Sequence, residues 1–370
     1  MAGIYVHVPF CKNKCTYCDF ASYPHIEDKQ ELYFACLYKE IKEKAVLFKD
    51  KTVETIYFGG GTPSYVEAKY ILGAVRQIKK YYSVTGNAEV TLEVNPATID
   101  EEKLKIYKLA GINRFSIGLQ TYNDKLLEKL NRVHNAQDYL NTVKLLKGYN
   151  LSVDIMIGLM GQDEQEVKKS LDFALCSPDI KHVSVYALKA EDGTPVYTQY
   201  LNGELPDGDE VATMYDFTVN YLAEKGYERY EVSNFAKIGF ESKHNLNYWK
   251  RGEYLGFGLG ASSFDRERRF TNTENINEYC HCILKNASPE IFSEKIEGDE
   301  RKFEYAMLNL RTKYGVVFSE YEKAFGSDFK EDFKEKLKFV NEYLDYDEKR
   351  VKIKDEYLYV QNQIIIQLMD

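Results

Sequence analysis

The chain has 370 residues, 44% of them hydrophobic, with a formal net charge of -9 and a pI near 5.4. That length accommodates a barrel-sized domain with smaller additions, while an acidic chain without a Lys/Arg stripe disfavours nucleic acid or an anionic membrane as its main partner. No signal-peptide pattern and no run of apolar residues long enough to span a bilayer is present, so a soluble cytoplasmic protein with at most peripheral membrane contact is expected.

The first apolar run, "IYVHVPF" (4–10), predicts a buried strand, and it leads into "CKNKCTYCDF", which holds Cys11, Cys15 and Cys18. The cysteine total is seven, and an odd number without a secretory signal argues against a disulfide framework and towards metal or redox chemistry. Cys36, Cys176, Cys280 and Cys282 have looser spacing and read as small hydrophobes or idle surface thiols. An amphipathic helix is predicted next, over "KQELYFACLYKEIKEKAVLF".

Further strands are predicted at "TIYFGGG" (55–61), "AEVTLEV" (88–94), "RFSIGLQ" (114–120), "SVDIMIGL" (152–159) and "HVSVYAL" (182–188). Helical segments lie between them; "DEEKLKIYKLAG" opens on an Asp cap and stops at Gly111. Alternating strands and helices predict an α/β fold with a parallel sheet, either a partial barrel or an open doubly wound sheet, with its site at the carboxyl ends of the strands. From Pro206 to Lys295 the alternation breaks into a helix, "YERYEVSNFA" and the Gly-rich "YLGFGLGASSF"; this stretch is a separate unit or an extension of the sheet. Residues 296–370 predict helices followed by two strands, "RVKIK" and "YLYVQNQIIIQL", an order like a winged helix; acidic residues outnumber basic ones there, which argues for docking or a lid rather than nucleic-acid binding. The expected organisation is a core at 1–205, an extension at 206–295 and a C-terminal α+β unit at 296–370.

Three thiols at C-x3-C-x2-C spacing suit zinc or an iron-sulfur cluster. Structural zinc needs a fourth protein ligand, such as His7 or His25, whereas a cubane on three cysteines leaves one iron open to a small molecule. After the second predicted strand, "GGGTP" (59–63) lets backbone amides approach an anionic or zwitterionic ligand, although such a loop is equally often only a turn.

Taken in order, Tyr5-Val6-His7-Val8-Pro9-Phe10-Cys11 with Cys15 and Cys18, Gly59-Gly60-Gly61-Thr62-Pro63, Glu93-Val94-Asn95-Pro96, Ser116-Ile117-Gly118-Leu119-Gln120-Thr121, Asn131-Arg132 and Asp154-Ile155-Met156-Ile157-Gly158-Leu159 resemble the radical S-adenosylmethionine (SAM) superfamily and its coproporphyrinogen oxidase-like branch. The resemblance covers nearly the whole chain and implies a partial (β/α)6 barrel with a smaller winged-helix-like C-terminal domain. It implies a [4Fe-4S] cluster on Cys11, Cys15 and Cys18 whose open iron chelates SAM, with Gly60, Gly61 and Thr62 at the methionyl end and Tyr5, Tyr17, Glu93, Gln120, Arg132 and Asp154 around the cofactors. Singly, Glu93 and Asp154 also read as helix caps, Arg132 as a surface ion pair and Tyr5 as core. One departure is Met160, in "GLMGQ", where the family usually has proline.

Oxidases of this branch carry a fourth cysteine two residues after the third, and a longer N-terminal segment. This chain has Phe20 there, and "CDF" with "HNLNYW" (244–249) looks like the haem chaperone family, HemW. The resemblance implies a chaperone that binds haem and the SAM-liganded cluster and passes haem to an acceptor protein, a respiratory enzyme, with room for a homodimer. His244 is the candidate haem ligand, since imidazole commonly binds haem iron, and Tyr248 and Trp249 could pack on a porphyrin face; a satisfied structural histidine is the competing reading. "Cys280-His281-Cys282" matches no motif and reads as a solvated helix end. The alternative is an oxygen-independent coproporphyrinogen III oxidase, in which reductive cleavage of SAM yields a radical that abstracts hydrogen from a propionate before decarboxylation.

Overall fold

The computed structural model describes residues 2–368. Its six sequence-predicted strands form β1 (Ala2–Val8), β2 (Thr52–Gly60), β3 (Ser83–Val94), β4 (Arg114–Gln120), β5 (Asn150–Ile157) and β6 (Ile180–Ala187). They lie side by side in chain order, each pair parallel. Between them run α1 (Gln30–Glu43), α2 (Ala68–Tyr81), α3 (Glu101–Ala110), α4 (Ala136–Leu145) and α5 (Glu164–Ala174). The start of α3 is fixed by Asp100, which accepts from the Lys103 amide at 2.8 Å, and its end by Gly111 at φ +87°.

Every strand alternates between two kinds of face. Ile4, Val6 and Val8; Ile56 and Phe58; Val90, Leu92 and Val94; Phe115, Ile117 and Leu119; Val153 and Ile155; and Val183 and Val185 all enter one hydrophobic core. The residues between them, including Tyr5, Tyr57, Glu93, Ser116, Asp154 and Ser184, point to the opposite face. Burying both kinds of face is what makes a parallel sheet with helices outside and a polar interior inside.

Residues 206–295 extend the sheet at both edges rather than forming a separate unit. After α6 (Gly208–Glu224), the strands β7 (Glu228–Arg229) and β8 (Asn234–Ala236) join beside β6, and the chain then crosses through α7 (Lys243–Trp249) to β9 (Glu253–Phe257). β9 pairs parallel with β1, and β10 (Ser262–Phe264), β11 (Arg268–Asn272) and β12 (Glu290–Lys295) follow antiparallel, with α8 (Ile276–Leu284) before β12. The twelve-stranded order is β12-β11-β10-β9-β1-β2-β3-β4-β5-β6-β8-β7, open among the described residues.

The Gly-rich stretch is held by Glu40 of α1, which is 1% exposed. Its carboxylate accepts from the Gly258 amide, the Asn272 amide group and the Tyr279 hydroxyl at 2.7–2.8 Å and pairs with Lys44 at 2.7 Å. Cys280 is buried on α8 and its carbonyl lies 3.8 Å from Cys36 Sγ, so the Cys-His-Cys triplet belongs to a packed helix, with only part of it facing out.

The C-terminal residues form a second core, from Tyr305 to Leu368. The order is α9 (Gly298–Asn309), β13 (Val316–Val317), α10 (Phe318–Phe325), a single helical turn at Phe329–Asp332, α11 (Lys334–Val340), β14 (Leu344–Tyr346) and β15 (Arg350–Ile353), with the three strands in one antiparallel sheet. "RVKIK" is a strand as expected; "YLYVQNQIIIQL" is not. It forms a helical turn and α12 (Gln361–Ile366), because Ile364, Ile365 and Leu368 reach the core at helical rather than alternating spacing. Among the described residues no helix is long and apolar enough to cross a membrane.

Candidate functional site

The interior face of the sheet opens at the strand carboxyl ends into a cavity of about 370 Å³. All three clustered cysteines, Tyr17, Gly60, Gly61, Thr62, Glu93, Gln120, Arg132 and Asp154 line it.

The cysteine loop leaves β1 through Phe10–Cys11, which pairs with Tyr23–Pro24. Lys14 pins its far side by donating to the carbonyls of Phe20 and Ser22 at 2.5 and 3.1 Å, and Asn131 holds its middle by donating to the Lys14 carbonyl at 2.8 Å. The three thiols are free of disulfides. Each has a polar neighbour: Thr62 Oγ1 lies 3.6 Å from Cys11 Sγ, Arg132 Nη1 is 3.6 Å from Cys15 Sγ, and Ser22 Oγ is 3.7 Å from Cys18 Sγ. Burial raises the pKa of Cys11 despite Thr62 and Ser22, and donors at this distance would temper the charge of thiolate-bound iron. Among the described residues no three Cys, His, Asp or Glu side chains converge on a single ion.

Beside the loop, the Gly-rich turn is clamped to it: the amides of Gly61 and Thr62 donate to the carbonyls of Val8 and Phe10, both at 2.9 Å. Gly60 stands at φ +108°, and a Cβ there would come within 2.5 Å of the His7 ring; one on Gly61 would lie 2.9 Å from the Val8 carbonyl. Only glycine fits this cradle.

Opposite lies a fan of inward polar side chains. Gln120 ends β4 with φ +71°, a left-handed conformation that a non-glycine residue adopts at a cost of about 1–3 kcal/mol. Arg132 reaches back over β4 and donates from Nη2 to the Gly118 carbonyl at 2.7 Å, while its Nε is buried without a partner. Glu93 accepts from the Tyr57 hydroxyl at 2.8 Å; burial, reinforced by Asp154, pushes its pKa up to about 7. Burial also raises the pKa of Asp154, against the pull of Ser184, Arg114 and Ser116. Three disulfide-free thiols, a glycine cradle, an under-satisfied guanidinium and a carboxyl whose pKa is raised to about 7 form a donor set that fits an iron-sulfur cluster and a zwitterionic ligand with an ammonium and a carboxylate.

Tyr5 and His244 do not line this cavity. They line a second one, of about 590 Å³, which shares Asp19, Phe20, Tyr57, Tyr186 and Asn245 with the first. Its walls include Tyr248, Tyr254 and Phe264, and its polar edge Arg251 and Arg269. His244 is 2% exposed. Its Nδ1 faces Thr55 Oγ1 and its Nε2 the Tyr248 hydroxyl, both at 2.8 Å, so both ring nitrogens are engaged; burial and then Arg114 push its pKa down to about 3. Ligation of iron by Nε2 would require the Tyr248 hydroxyl to move aside. Trp249 follows on α7 but does not line the cavity, whereas Phe20 is 63% exposed and lines both.

Further residues of the site carry only a weak signal in the sequence. Arg114, 2% exposed with Nε unpartnered, opens β4 inside the first cavity, and His182, Ser184 and Tyr186 project from β6. Period-two polarity in "RFSIGLQ" and "HVSVYAL" was the available signal, since Arg114, Ser116, Gly118 and Gln120 share one face. Arg251 and Arg269 had no such signal.

A model described as the radical SAM superfamily matches residues 5–174. The chain is 35% identical over 333 residues to "Heme chaperone HemW" of Buchnera aphidicola subsp. Schizaphis graminum, covering 87% of this chain and 85% of that protein. It is 33% identical over 369 residues to the protein of the same name from Lactococcus lactis subsp. lactis, covering 97% and 95%. Among solved structures, coproporphyrinogen III oxidase (HemN) from Escherichia coli superposes with a TM-score of 0.87 at 21% identity over 99% of this chain and 89% of that one, a likeness of fold. With a relative at this identity matched over nearly its full length, the chain belongs to the HemW family of the radical SAM superfamily.

Proposed function

We propose that the protein is a haem chaperone that binds haem in the aromatic cavity beside a SAM-liganded [4Fe-4S] cluster, and that it hands haem to an acceptor protein. The observation that carries this reading is the pair of adjoining cavities, one polar with three unpaired thiols and the other walled by tyrosines and phenylalanine, meeting at Phe20. A fourth thiol at that position would make the loop like that of the oxidase branch; an exposed phenyl ring instead adds an apolar surface suited to a porphyrin face.

In this reading Cys11, Cys15 and Cys18 hold the cluster, and when bound the group supplies one-electron chemistry and an open iron for SAM. Gly60, Gly61 and Thr62 bind the methionyl end, Arg132 takes the carboxylate, Glu93 faces the ammonium, and Tyr17, Gln120 and Asp154 orient the rest. Tyr5, His244 and Tyr248 belong to the haem side, with His244 a ligand once Tyr248 releases it. The proposed acceptor is a respiratory enzyme met in the cytoplasm, and a homodimer is compatible with the reading.

The test is anaerobic reconstitution followed by parallel assays of haemin binding and coproporphyrinogen turnover. Haemin binding without turnover is expected. Robust formation of protoporphyrinogen would establish the oxidase instead, for which the fold likeness alone is no argument.

A further inference from the structure

The second cavity has a charged edge that neither the cluster nor SAM uses. Arg251, from the turn after α7, and Arg269, on β11, both line it, and both pair with a single buried carboxylate, Glu304 of α9. Arg251 pairs with Glu304 through Nε, and its guanidinium lies over the Phe264 ring, 4.5 Å from the centroid. Its side chain is only 7% exposed, yet Nη2 is buried with no hydrogen-bond partner. Arg251 also stands at φ +55°, a conformation a side-chain-bearing residue adopts at some energetic cost. A strained, half-satisfied, buried guanidinium on a cavity wall is built to receive an anion.

The surrounding charges leave that capacity open. Glu294 takes Arg269 Nη1 at 3.1 Å on its more exposed side, and Arg301 lies close enough to Arg251 to oppose its charge. Asp19 and Glu274 line the same cavity without pairing with either arginine. Leu308, one turn beyond Glu304 on α9, also lines the cavity, so the helix that supplies the carboxylate forms part of its wall. Arg301 sits three residues before Glu304 on that helix, within reach of the carboxylate when it swings away.

We propose that Arg251 and Arg269 are the receptors for the carboxylates of a propionate-bearing tetrapyrrole, and that Glu304 occupies them as an internal surrogate. Ligand binding displaces Glu304 and loosens α9 from the sheet. The inference rests on the haem reading above and adds to it the polar anchor of the cavity and a link to the C-terminal domain.

The experiment titrates the full-length protein with haemin and with haemin dimethyl ester, whose propionates are masked. The wild type is expected to bind the ester about tenfold more weakly, the size of one lost charge-assisted contact. Arg251→Gln combined with Arg269→Gln abolishes that preference, and Glu304→Gln tightens haemin binding by removing the competitor. Hydrogen exchange across 298–309 is expected to rise on adding haemin. Equal affinity for acid and ester, or a preference that survives the arginine substitutions, overturns this inference while leaving haem binding intact. Unchanged or slower exchange in α9 overturns the displacement, and no haemin binding by the wild type overturns the proposed function together with it. The ester comparison needs no variant, so a folding defect in Glu304→Gln leaves the test standing.

Discussion

Glu93 offers the most direct check on the electrostatics of the site. Its carboxyl ionises near 4.5 in an unfolded chain and near 7 in the folded protein, chiefly because burial disfavours the charge. Between those values the native state holds a proton that the unfolded chain has lost, so stability falls as pH rises through the window. At about 1.4 kcal/mol per pH unit, the burden above pH 7 amounts to about 3 kcal/mol. Glu93→Gln keeps an oxygen for the Tyr57 hydroxyl and removes the ionisation. Urea unfolding of the apo protein under anaerobic conditions should show the variant gaining on the wild type by about 2 kcal/mol between about pH 5 and pH 8. A difference that is flat across this range, or that grows towards acid, would refute the assignment of a buried, reluctantly ionised carboxylate to the cavity.

Other substitutions probe the scaffold. Gly60→Ala places a methyl against His7 at a backbone angle suited to glycine; a loss of about 1–3 kcal/mol in urea unfolding, with impaired cluster reconstitution, is expected. Glu40→Ala strips the Gly258 amide, Asn272, Tyr279 and Lys44 of a shared buried partner, and thermal unfolding should report a loss of about 3–5 kcal/mol. His244→Gln should destabilise by about 1–3 kcal/mol near neutral pH because Thr55 or Tyr248 loses a bond. The native state holds His244 neutral down to about pH 3 while the unfolded chain protonates near 6.5, so wild-type stability falls as pH drops through that window, and the deficit of the variant should shrink between about pH 7.5 and pH 5. A deficit that does not change with pH would contradict a buried neutral imidazole.

The strands, the parallel order of the sheet and the thiol loop were legible because each rests on local pattern. Alternating residues such as Phe115, Ser116 and Ile117 can satisfy a helix-covered core and a polar interior only as a strand, and Cys11, Cys15 and Cys18 are close in sequence. The last segment departs from the expected strand because "YLYVQ" alternates over only a few residues, while the packing of Ile364, Ile365 and Leu368 into the second core makes the following run helical.

What the chain alone determined was the set of residues at the strand ends, for in a parallel sheet those ends must gather on one side. Only the tertiary structure decided which cavity each residue enters: Tyr5 and His244 face the second, apart from Glu93 and Asp154. It also decided that Arg251, Arg269 and Glu304, from a turn, an edge strand and a C-terminal helix, share one charge cluster. Contacts of that kind depend on where long crossings return, and no periodicity within a segment encodes them.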